Sequence, residues 1–117
     1  MKSKYLIFGG LIAALFFFSA CTQKKESSQA IALTPEQQVE KGQQVYMSNC
    51  LSCHGADPKK DGAIGPAIWG SSLELITTRT LKAEYPAGYQ AKRSTRLMVA
   101  LPHLEADLPA LHAYLNK

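Results

Sequence analysis

Cys50, Cys53 and His54 stand at relative positions zero, three and four in the stretch NCLSCHG, residues 49–55. On a helical turn, side chains at those offsets meet on one face. Four chemistries use part of such a cluster: a disulfide, a zinc site, a redox dithiol and a covalently held haem. A structural zinc wants four ligands, usually with a second pair at similar spacing. Only His103 and His112 remain, nine residues apart. A redox dithiol of this spacing sits beside a βαβ pattern, and no strand pattern is convincing here. A plain disulfide would leave His54 incidental. Covalent haem uses all three groups, and Cys-x-x-Cys-His is the signature of its c-type attachment. Two thiols reach two vinyl groups on one porphyrin edge, while the imidazole approaches the iron from one face.

The elements that must position these groups begin well into the chain. Lys2 and Lys4 precede a run of apolar and small residues from Tyr5 to Phe18, and Ser19-Ala20-Cys21 follows. This is the layout of a secretory signal peptide over residues 1–20. The apolar run falls short of the ~20 residues that span a bilayer, so an exported chain is expected. The junction FSAC resembles the lipobox of bacterial lipoproteins, with Phe18 where Leu is usual. That resemblance makes Cys21 a lipid attachment point. The other reading of Cys21 is a free or disulfide-bonded thiol. Residues 21–33 are polar at first and lack periodicity, as a flexible tether would.

Removal of the first twenty of 117 residues leaves 97, enough for one small domain. Of 13 Lys and Arg, all but Lys2 and Lys4 remain, against 9 Asp and Glu. So even a balance does not predict a nucleic-acid partner. A domain of this size buries only a little over ~60% of its unfolded surface, and a cofactor serving as core would help it.

Residues 34–117 read as that domain. Thr34-Pro35-Glu36-Gln37 predicts a helix start, with Thr34 as N-cap, Pro35 in the first turn and Gln37 closing a capping box. Val39, Gly42, Tyr46 and Cys50 then fall on one stripe, which puts the cysteine pair at or just beyond the end of this helix. The next segment, residues 55–70, holds four glycines and two prolines and reads as loop. Ser71 with Glu74 predicts a second capping box and a helix over roughly 72–80. YPAGY at 85–89 reads as a turn. Leu104, Leu108, Leu111 and Leu115 form the stripe of a last helix. Pro109 must sit near its first turn, so its start is expected at residue 105–107. The domain is predicted all-α.

Over nearly all of residues 35–116 the chain resembles a bacterial class I cytochrome c. Gly42 and Tyr46 precede the haem motif Cys50-Leu51-Ser52-Cys53-His54-Gly55, Gly65-Pro66 follows it, and Tyr114 lies in the last helix. The resemblance implies a small fold centred on one covalent haem c, with the first and last helices crossing at Gly42. It also implies that the Pro66 carbonyl accepts the other N–H of a proximal His54, orienting the ring and tuning the iron.

The family takes its sixth iron ligand from a methionine in a loop before the last helix. Met1 belongs to the signal, and Met47 lies on the attachment helix, on the wrong side of the motif. Met98 is left, in RLMVALP, where Val99 replaces the family's usual proline. A thioether suits such a site; the rival ligand is His103, and His112 reads as packed or exposed. Trp69 and Arg79 could reach haem propionates, or be a core residue and a solvated charge. Lys59, Lys60, Lys92, Arg93 and Arg96 flank the expected haem edge, where they would steer an acidic partner or be ordinary solvated charge.

With both axial positions filled, such a protein exchanges single electrons. The expected partners are an oxidase, reductase or dehydrogenase on the periplasmic side, with the membrane reached through a lipid anchor. The alternative is a haem subunit of an oxidoreductase complex, or a ligand sensor in which Met98 is displaceable.

Overall fold

The computed structural model describes residues 32–117. The predicted signal segment, Cys21 and the tether up to residue 31 lie outside these residues. The described chain holds α1 (Pro35–Asn49), a single turn α2 (Leu51–His54), α3 (Leu73–Lys82), a 3-10 helix (Pro102–Asp107) and α4 (Leu108–Leu115). No strand occurs among the described residues, as the all-α expectation requires.

The start of α1 is built as its sequence predicts. The Thr34 hydroxyl accepts from Gln37 N at 3.3 Å, and the Gln37 side chain accepts from Thr34 N at 2.9 Å. Two otherwise orphaned donors are satisfied reciprocally. The predicted stripe faces inward: Gly42 and Tyr46 are buried, and Val39 and Cys50 pack against the core.

That core is made where α1 and α4 cross, with α3 packed against α4 and the 3-10 helix. Tyr46, Ile76, Leu108, Leu111, Tyr114 and Leu115 form one buried cluster. At the crossing Gly42 lies on the backbone of Ala110 and on Tyr114 Cβ, so close that a side chain there would overlap both. The Tyr46 and Tyr114 rings pack tilted at 47°, centroids 5.5 Å apart, in the range favoured by aromatic pairs. Lys41 pairs with Asp107 at 2.6 Å across the same two elements.

Two boundaries differ from the sequence expectation. Ser72, not Ser71, caps α3, accepting from Leu75 N at 3.2 Å. The Ser71 hydroxyl instead donates to Ile68 O at 2.7 Å, closing the preceding turn, so the expected capping box with Glu74 does not form. The last α-helix starts at Leu108 rather than at 105–107. Pro109 lacks an N–H and is accommodated only in the first turn. Residues 102–107 therefore approach it as a 3-10 helix, with Leu108 N bonded to Glu105 O.

Candidate functional site

Cys50 closes α1, its N–H bonded to Tyr46 O, and α2 then carries Cys53 and His54 through one more turn. Gly55, at φ +78, ends that turn in a conformation that favours glycine. Buried Tyr46 secures the corner by donating its hydroxyl to Gly55 O at 2.7 Å. Burial, reinforced by Cys50, Tyr114 and Asp57, pushes the Tyr46 hydroxyl up to about 12, so it stays a donor at neutral pH. Burial also pushes the Cys50 thiol up to about 11, with Cys53 adding to the shift.

His54 is held from two sides by the loop that follows. Its Nδ1 lies 2.8 Å from Pro66 O. A carbonyl only accepts, so Nδ1 carries a proton, and in the neutral tautomer this selects, the lone pair is on Nε2. Gly65 lies flat on the ring: a Cβ there would come within 2.5 Å of Cε1 and 2.6 Å of Nδ1. The loop itself folds back on the motif, because Gly65 N donates to Cys53 O at 2.9 Å. Gly62 is equally constrained, its α-carbon resting on the Cys53–His54 backbone.

Cys50, Cys53, His54, Pro66 and Met98 all line one cavity of about 300 Å³. Its other walls are largely apolar, with Ile68, Leu75, Ile76, Leu97, Leu111 and Leu115 among them. A cavity of this size and lining is what a bound organic cofactor uses. Its wall thus combines residues bearing two thiols, an imidazole and a thioether, a donor set that fits a covalent haem c.

Other sequence candidates divide. His103 is exposed, His112 half-buried, and neither lines the cavity; nor does Met47, which is exposed on the far side of α1. Trp69 is not at the cavity either, and Lys59 Nζ sits over its ring, 4.3 Å from the centroid. Arg79 does line the cavity, donating to Ala83 O with its guanidinium 4.1 Å over the Tyr85 ring. Tyr85 and Tyr89 stack in the same wall, 5.4 Å apart, so the YPAGY turn also supplies part of the cavity, which turn composition alone does not signal.

The basic residues also split. Lys60 is exposed beside Asp57 at 3.8 Å, and Arg96 is exposed. Lys92 and Arg93 are not free charges. Lys92 donates to Ala67 O at 2.7 Å, and Arg93 to Ile64 O at 2.9 Å and Gly62 O at 3.3 Å. Arg93 also pairs with Asp61 at 3.1 Å. Nothing in a run of cations marks these partners, since the carbonyls lie 25 to 31 residues earlier in the chain.

Asp61 ties the loop from its exposed end. Its carboxylate accepts from Ala67 N at 2.7 Å. That hydrogen bond, and then Arg93, hold its pKa below the usual carboxylate value. A carboxyl depressed in the folded state stabilises the fold above its unfolded pKa of about 4 and loses that contribution as pH falls through the depressed value. Thermal melts from pH 6 downward should therefore lose stability below about pH 4 less steeply in Asp61→Asn than in the parent.

A comparison of the chain with protein-family models matches cytochrome c over residues 39–117, well over half the chain. No curated protein matches it. With that match spanning the haem motif, most of α1, all of α4 and every cavity wall, the chain belongs to the cytochrome c family, electron carriers that hold haem c covalently.

Proposed function

We propose that this cytochrome is a six-coordinate, single-electron carrier with His54 and Met98 as axial ligands. Haem supplies the redox chemistry, its iron alternating between ferrous and ferric states. The chain supplies the rest. Cys50 and Cys53 hold the group by thioethers, and the Pro66 carbonyl keeps the Nδ1 proton of His54, presenting Nε2. Gly65 leaves room for the ring to lie in that orientation. Met98 would hold the iron from the other side, and the Ile and Leu residues of the cavity would keep water from it.

One observation carries this reading: Met98, 44 residues beyond His54, lines the same cavity as the attachment motif while both other histidines stay outside it. A site closed on both faces has no place for a substrate. The ferrous holoprotein should therefore give a single one-electron wave in a redox titration and exclude carbon monoxide. Rapid carbon monoxide binding by the intact protein would favour the ligand-sensor reading instead.

The same proposal places the protein on the periplasmic side, lipidated at Cys21, and passing electrons among an oxidase, reductase or dehydrogenase. Signal layout and the FSAC junction support the anchor. More than one lipid chain gives stable binding where a single chain gives only marginal attachment. Cys21→Ser should leave the haem domain folded and move it from the washed membrane fraction to the soluble one. Retention of the variant on membranes would remove Cys21 as the anchor.

A further inference from the structure

The segment bearing Met98 has no regular secondary structure, yet a ligand must be held in place. Its downstream end is fixed to α3, where Leu101 N donates to Thr80 O at 2.6 Å. Its upstream end is fixed by Lys92 and Arg93, whose three hydrogen bonds all go to carbonyls of residues 62–67. Among the described residues, no hydrogen bond holds residues 94–100 between these anchors. Leu97, Met98 and Val99 line the cavity from this segment, so their positions follow the path the two anchors set.

Residues 62–67 are also the loop that orients His54, through Gly65 on the ring and Pro66 at Nδ1. We propose that Arg93, assisted by Lys92 and Asp61, is a positioning residue. It braces the Met98 segment against the His54 loop and so sets the strength of the Met98 bond to iron. This rests on the reading of Met98 as a ligand. A planar guanidinium suits the task, since its fork spans two carbonyls and a carboxylate at once, which a lysine ammonium cannot match. Charge-assisted hydrogen bonds of this kind are about twice as strong as neutral ones. The Arg93 side chain is only 31% exposed, which limits their competition with water.

The test compares ferrous holoproteins of the parent, Arg93→Ala, Arg93→Lys and Met98→Ala in carbon monoxide binding, redox potential and thermal melting. Arg93→Ala should bind carbon monoxide at least about tenfold faster than the parent, because it removes two charge-assisted hydrogen bonds and an ion pair, and the loss of even one such bond is worth about that factor. Its potential should fall as thioether ligation weakens. Arg93→Lys should recover part of both, because an ammonium keeps the ion pair and one carbonyl. Parent-like exclusion of carbon monoxide by Arg93→Ala, alongside free binding by Met98→Ala, overturns the brace and leaves the ligand reading intact. So does a shifted potential without faster binding, which would be a charge effect alone. If Met98→Ala also excludes carbon monoxide, ligand and brace fall together. Should Arg93→Ala fail to accumulate as holoprotein, Arg93→Gln, with one amide donor, is judged by the same criteria.

Discussion

Met98→Ala should yield a holoprotein that keeps its covalent haem but binds carbon monoxide in the ferrous state. On the proposed attachment, the two thiols lie at the end of α1 and in α2, far from residue 98 in the chain. The truncation leaves the hydrogen bond between His54 and Pro66 O untouched. Met98→His gives the complementary result. A thioether favours the softer ferrous iron, and His/Met ligation raises the potential. Axial ligands move haem potentials across ~0.8 V. Exchange of sulfur for imidazole should therefore lower the potential by roughly one to a few tenths of a volt. Potentiometry on the two variants checks both expectations. An unchanged spectrum in Met98→Ala, with carbon monoxide still excluded, would assign the position to another residue. His103 is the nearest candidate in sequence, although it is exposed and outside the cavity.

Gly42→Ala should be the most damaging conservative change on α1. Helix propensity alone predicts the opposite, because Ala is favoured over Gly by about 1 kcal/mol inside a helix. Packing decides the sign. A Cβ at residue 42 would overlap the Ala110 carbonyl and stand 2.7 Å from Tyr114 Cβ. Neither neighbour is the end of a flexible side chain, so α1 and α4 would have to separate. Overpacking of this kind costs about 1–3 kcal/mol, and here the upper end is expected. For a domain of this size that lowers the melting temperature by on the order of 15 °C. Met47→Ala provides the control, since Met47 is 45% exposed on the outer face of the same helix. It should shift stability by no more than about 0.5 kcal/mol. A melting temperature for Gly42→Ala at or above the parent's would show that the two helices can part without cost.

Local chemistry was legible in the sequence because it is written over few residues. The offsets of Cys50, Cys53 and His54 place three groups on one turn whatever the rest of the chain does. The capping box at Thr34 and the stripe from Leu104 to Leu115 are local as well, and both are present in the structure. The exchange of Ser72 for Ser71 as a cap shows where such reading stops. Either hydroxyl could have capped α3, and the choice fell to a carbonyl, Ile68 O, that sequence spacing does not rank. Positions separated by tens of residues were decided by tertiary packing alone. Met98 lines the same cavity as Cys50, Cys53 and His54, and Trp69 does not. The cations at 92 and 93 read as free surface charge until the loop at 62–67 is folded beneath them. A helical turn carries its geometry in its residue spacing, whereas a hydrogen bond between two irregular loops exists only once the helices beneath have set both paths.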